Sequence, residues 1–175
     1  MLKTLLMLII LNGTITNLNY KINMQEYIIE CLYFDKKKPA KIFVWEEEEE
    51  NPSIIEYKDN TTFQYIGSFK VLHIKYIDDI NEIEVSDIRT YEAFCKLVKN
   101  LEAKNIRMLI KGCSLQYSMV KALKSTMFTV KLRLGNEINF QKDKVNIFEK
   151  EMDVSKIVTL EEQDAFFNKW LDSLN

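Results

Sequence analysis

The chain is poor in the residues that punctuate or staple small proteins: 4 glycines, 2 prolines, 3 cysteines and 1 histidine among 175 residues. So few glycines exclude glycine-rich phosphate loops and collagen-like repeats. The cysteines, Cys31, Cys95 and Cys113, lie far apart, form no C-x-x-C pair and leave an odd thiol under any pairing, which fits a reducing compartment. His73 stands alone, so neither H-E-x-x-H nor a Cys/His zinc spacing can be assembled, and no metal or cofactor is expected. A surplus of positive charge is also missing. Lys and Arg number 24 against 26 Asp and Glu, a net charge of -2, so no overall basic field gathers nucleic acid.

Long apolar runs are absent too. The longest near the start, "LLMLIIL" at residues 5–11, has the look of a signal-peptide core but is too short to cross a bilayer as a helix. No A-x-A-like cleavage site follows it, and Met24 stands just before the first clearly globular stretch. Residues 1–23 are therefore read as a leader, either a weak export signal or a gene-start artefact, with the second preferred. Residues 24–175 are read as one domain, cytoplasmic in the main reading and exported or periplasmic if the leader is a true signal.

What is present is 47% hydrophobic and 29% charged, the balance of a globular chain with a sizeable core. "YIIECLYF" (27–34) and "KIFVW" (41–45) are runs of β-formers, and "DKKKPA" between them reads as the turn of a hairpin. "EEEEENPS" (46–53) reads as a solvated loop, because like charges repel and Pro52 breaks regular structure. Short strands are expected at 54–57, 63–66 and 69–77. From Ser86 to Asn105 apolar residues recur at spacings of three and four (Ile88, Tyr91, Cys95, Val98, Leu101), which predicts an amphipathic helix capped by Ser86 and terminated at Asn105. "FTVKLRL" (128–134) alternates, with Phe128, Val130, Leu132 and Leu134 inward, and a further short strand is expected at 145–148. Thr159 and Glu162 have capping-box spacing ahead of the stripe Phe166, Phe167, Trp170, Leu171 and Leu174. The fold class is α+β, with an antiparallel or mixed sheet, a central amphipathic helix and a docked C-terminal helix.

Two places could carry function. "RMLIKGCSLQYSMVKALKS" (107–125) reads as a strand running through a glycine, a cysteine and a serine into something helical, the layout of a nucleophile turn. Yet Gly112, Cys113, Ser114, Leu115 and Gln116 do not form a G-x-S-x-G elbow, and His73 is the only histidine available as a base. The ordinary reading is a buried Cys113 and a helix-capping Ser114. A ligand site lined by Cys113, Ser114 and Ser118 is the functional alternative. The other place is Trp45 with Glu46, Glu47, Glu48, Glu49 and Glu50, where a glutamate run beside an aromatic could steer and hold a basic partner. Its ordinary reading is a charged, solvated segment that keeps a hairpin edge from aggregating. Asp78 with Asp79 and Glu161 with Glu162 read as surface charge, and His73 as a strand residue with a satisfied ring.

Phe94, Leu101 and Glu102, "IKGCS", Ser118 with Met119, "LRLGN" with Gly135, "VNIFE" and "TLEEQDAFFNKWLDSL" together resemble a family of small bacterial single-domain proteins of unassigned activity. The closing piece is the most telling, and the resemblance covers the chain from about Ile88 onward. This chain departs from the family in "SLQYSMVKALKSTMF", which lacks an arginine-rich Pro-Ser-Gly-Met turn and a glycine-rich connection. Small proteins of this type look like immunity or accessory proteins of toxin systems. The resemblance therefore implies a non-enzymatic protein that binds a cognate basic partner such as a toxin. The alternatives are a small enzyme or ligand-binding protein using the turn after Ile110, and an exported or membrane-tethered accessory protein.

Overall fold

A computed structural model describes residues 5–11, 14–20, 23–34, 36–58 and 61–174, with side chains described for 23–34, 36–49 and 68–174. Its main sheet is antiparallel and holds β3 (Gln25–Tyr33), β4 (Lys36–Lys58), β5 (Thr61–Ile77), β6 (Glu82–Asp87) and β7 (Ile106–Met108), in the order β6-β5-β4-β3-β7. Ahead of it in the chain, β1 (Leu5–Leu11) and β2 (Thr14–Tyr20) pair with each other. The expectations for a leader in residues 1–23 rest mostly on residues whose side chains lie outside the described set. A three-stranded antiparallel sheet joins β8 (Tyr117–Ser118), β9 (Phe128–Lys131) and β10 (Lys144–Asn146), and the helices are α1 (Thr90–Glu102), α2 (Phe140–Asp143) and α3 (Leu160–Asp172). The fold is α+β, as the sequence indicates.

Strand alternation builds the core. By register Ile42, Val44, Ile74, Tyr76 and Val85 share one face of the main sheet, and they are buried in one cluster with Ala93, Phe94, Leu97 and Leu101 of α1. Each valine, leucine, isoleucine or phenylalanine among them contributes about 1.5–3 kcal/mol of burial, which fixes α1 across the sheet. The helix starts later than its spacing suggests. Ser86 is a strand residue opposite His73, Ile88 is exposed, and Arg89 takes the N-cap position without a side-chain cap. Pairing of β6 with β5 claims Ser86 and Asp87, so the buried helical stripe is Ala93, Phe94, Leu97, Val98 and Leu101 instead. Asn105 ends this unit in the left-handed region, with φ 57.

The first hairpin is tighter than "DKKKPA" suggests. Tyr33 pairs with Lys36, and Lys37, Lys38, Pro39 and Ala40 are already inside β4. Pro39 is tolerated because β5 ends opposite Lys41, so among the described residues β4 has no partner strand on that side at Pro39. The strands expected at 54–57 and at 63–66 with 69–77 belong to the two arms of one long hairpin, with a register shift between Asn51 and Ile54 where Pro52 stands.

The C-terminal half closes the fold. Leu123, Val130, Leu132 and Trp170 form a second cluster, joined by Phe166 and Phe167. The Thr159–Glu162 capping box is present in both directions, and the Trp170 indole donates to the Asn136 carbonyl at 2.9 Å. Within "FTVKLRL" only Val130 and Leu132 point inward as expected. Within β9 Phe128 is exposed and Thr129 buried, as is Val130 beside it, so both faces of this middle strand are covered there; Leu134 is exposed because β9 stops at Lys131 and the chain turns at Gly135, φ 72. Leu171 and Leu174 also lie at the surface.

Candidate functional site

The turn after Ile110 is a packing junction. Residues Lys111–Cys113 form one turn of 3-10 helix rather than the end of a strand, and Ser114 caps no following helix. Its backbone bridges Ile157, and the chain proceeds into β8. Close packing sets this conformation: a Cβ on Gly112 would stand 2.7 Å from Phe94 Cζ and 3.1 Å from Ile147 Cβ. From α3 the Gln163 amide donates to the carbonyls of Gly112 and Ser114 at 3.0 and 2.9 Å, tying the last helix to this turn.

Beneath it lies a buried ion pair. Lys111 Nζ is 3.0 Å from Glu151 Oε2, with side-chain exposures of 16% and 4%. Burial alone would raise the Glu151 carboxyl, but the Asp153 backbone N–H and the Lys111 ammonium, which both donate to it, outweigh burial and hold the group below its ordinary range. Burial disfavours the Lys111 charge, and its bond to Glu151, with the nearby Tyr117 and Glu149, more than restores it. Both groups are therefore charged when paired.

This geometry offers no accessible nucleophile. Cys113 is 4% exposed and its thiol is pushed far up by burial, while Ser114 is 0% exposed. His73 lies in β5, paired with Trp45 and Ser86 and stacked on the Trp45 ring. Cys113 faces Val98, Leu101, Met108 and Ile157 around a cavity of about 10 Å³. Ser118 lines a different cavity of about 30 Å³, with Tyr91, Cys95, Tyr117, Gln163 and Asp164. Such a volume suits one water and falls far below the roughly 300 Å³ of a small-molecule site. The three residues thus do not share one pocket.

The second candidate changes its character. Glu46, Glu47, Glu48, Glu49 and Glu50 are not in a loop; they continue β4, paired in register with Leu72, Val71, Lys70, Phe69 and Ser68. Alternation sends Glu46 and Glu48 to one face and Glu47 and Glu49 to the other, which separates the like charges, and the opposite strand supplies partners. Lys70 Nζ is 3.2 Å from Glu46 Oε2, and the Ser68 hydroxyl donates to Glu48. Trp45 is 8% exposed, so it is not free to contribute an exposed aromatic contact. Its ring lies 5.0 Å from that of His73 at 11°, and its indole N–H donates to Glu47 at 2.8 Å. The His73 nitrogens stand 3.8 Å from Glu47 and 3.7 Å from Glu84, beyond hydrogen-bond distance, so the ring is packed rather than hydrogen-bonded.

The sheet ends before this strand does. Pairing with β3 stops at Val44 and pairing of β5 with β6 stops at Leu72, which faces Glu46, so from Glu47 to Lys58 only β4 and β5 are joined among the described residues. Glu46, at the root of this two-stranded arm, is exposed, as are Glu48 and Glu49 on it, and Glu47 is partly so.

The buried hydroxyls of Ser114 and Thr129 have no hydrogen-bond partner among the described residues, whereas several other polar groups do. Tyr76, fully buried, donates to Asp78 at 2.8 Å and lies 3.2 Å from the Cys31 thiol, and burial drives its hydroxyl well above the ordinary tyrosine range. Asp78 is not surface charge: it accepts the backbone N–H groups of Ile80 and Asn81 and locks the β5–β6 turn. Asp79 is exposed and pairs with Lys38. Glu162 serves the α3 cap, and Glu161 is exposed. Among the described residues no group of His, Cys, Asp and Glu could hold a metal ion, and no helix is long and apolar enough to cross a membrane. No protein-family model and no curated protein sequence matches the chain.

Proposed function

We propose that this chain acts by binding a basic protein, with the glutamate-bearing arm of β4 as the contact. The observation that carries the reading is the placement of four glutamates in succession, Glu46 at the last rung of the main sheet and Glu47 to Glu49 on the two-stranded arm beyond it. Charge on such an element raises the rate of encounter with a basic surface and selects against acidic ones. The opposing groups support the reading as well: at the turn after Ile110 the candidate nucleophiles are buried, and the cavities hold a water at most. The likeness of the second half to small bacterial single-domain proteins gives the reading its specific form, an immunity-type inhibitor that docks on a cognate toxin. Three free thiols favour the cytoplasm as its place of action.

The test is affinity capture from the source cells, run in parallel with the wild-type chain and with a variant carrying glutamine at positions 46–49. The reading expects a stoichiometric basic protein held by the wild type, released by salt and not retained by the variant. A partner held equally by both chains removes the arm from the reading, and no stoichiometric partner removes the reading itself.

A further inference from the structure

Beyond Val44 the β3 side of β4 has no partner strand among the described residues, so the backbone N–H and C=O groups that point that way from Trp45 onward are unpaired by the sheet. An open edge of this kind is a template for another strand. Two-stranded ribbons are marginal on their own, and a third strand adds both ladder hydrogen bonds and cross-strand side-chain pairs. The edge begins where β3 leaves off, so an added strand would continue the line of β3 past Gln25.

The side chains determine what can pair there. Successive glutamates present negative charge on both faces of β4, so an acidic or apolar strand would meet repulsion or strand its neighbours' charge without a partner. Part of this charge is already engaged, Glu46 by Lys70, Glu48 by Ser68 and Glu47 by Trp45, while Glu49 is exposed. A segment with lysine or arginine at consecutive positions would place a cation on each face opposite a carboxylate. We propose that the basic partner binds by strand addition: an extended Lys/Arg-rich segment pairs with the open edge of β4 from Trp45 to Glu49. This rests on the binding reading given above and adds to it the main-chain mode of contact.

The test uses the full chain and a short peptide carrying a lysine and arginine run matched in length to residues 46–50, together with the same peptide N-methylated at alternate amides. Strand addition expects the plain peptide to bind, outward backbone amides of residues 45–49 to gain hydrogen-exchange protection, and the methylated peptide whose blocked edge faces β4 to bind roughly ten-fold more weakly or worse. Equal binding of plain and methylated peptides, with no gain in protection, overturns strand addition while leaving a side-chain contact with the arm standing. Absence of binding by either peptide overturns strand addition and the arm's role together.

Discussion

Replacing Lys111 with methionine removes the cation that faces Glu151 across 3.0 Å while keeping most of the side chain's volume. Glu151 is 4% exposed and cannot regain water without opening the junction between the 3-10 turn and the strand-like segment at Lys150. Breaking one side of a buried pair costs about 3–5 kcal/mol, and the partial exposure of Lys111 places this case near the lower figure. That is a large share of the roughly 5–15 kcal/mol that holds an ordinary domain together. The pH dependence follows in sign. In the wild type the Glu151 carboxyl is held below its ordinary range, so its contribution is present above that range and is lost as pH falls through the lowered native value. In the variant the Lys111 cation no longer lowers it, so the native carboxyl moves up from its wild-type value, with the Asp153 backbone N–H still working against burial. The penalty is then full at neutral pH and shrinks on acidification as the buried group takes up a proton. Urea unfolding followed by circular dichroism at neutral pH and near pH ~4 measures both effects. The stability gap should be about 3 kcal/mol at neutral pH and clearly smaller in acid, and the double variant Lys111→Met with Glu151→Leu should regain most of the loss. A gap below about 1 kcal/mol, or one that does not narrow in acid, refutes the reasoning.

Two further outcomes follow from the same junction. Gly112→Ala should destabilise by about 1–3 kcal/mol, read as a lower urea midpoint at unchanged slope, because the new methyl meets Phe94 and Ile147. A thiol reagent at mildly alkaline pH should label the native chain first at Cys95, which is only partly buried, and should reach Cys31 and Cys113 only as the fold opens. Prompt labelling of Cys113 by mass spectrometry would contradict the closed turn.

Much of the fold was legible because local signals and packing agree. The Thr159–Glu162 cap and the Trp170 stripe describe α3 because both work within one helix, and Asn105 terminates α1 by its own left-handed geometry. The hairpin of β3 and β4 was visible in its β-formers, but its turn was misplaced, since the tolerance for Pro39 comes from β5 ending opposite Lys41. The helix start at Ser86 failed for a related reason: a strand partner, His73, lies 13 positions earlier in the chain and no window of local periodicity contains it. Glu46 to Glu50 read as a loop by composition, yet the strand opposite supplies Lys70 and Ser68 and converts a repelling run into a paired edge.

The site was half visible. The glutamate run itself announces a charged surface, but the burial of Trp45 against His73 depends on cross-strand register. The partnership of Lys111 and Glu151 spans 40 positions and left no spacing signal, and the same holds for the Gln163 amide that ties α3 to Gly112 and Ser114. A serine after a glycine and a cysteine looked chemical because the sequence does not display the layer that encloses it.

The most direct test of the arm's role is the affinity of the full chain for the basic peptide matched to residues 46–50, measured by titration calorimetry across a range of salt concentrations. The account predicts a wild-type affinity that falls steadily as salt rises, and at least a ten-fold loss at low salt when Glu46, Glu47, Glu48 and Glu49 are all changed to glutamine. Equal affinity for the two chains, or an affinity indifferent to salt, would contradict it.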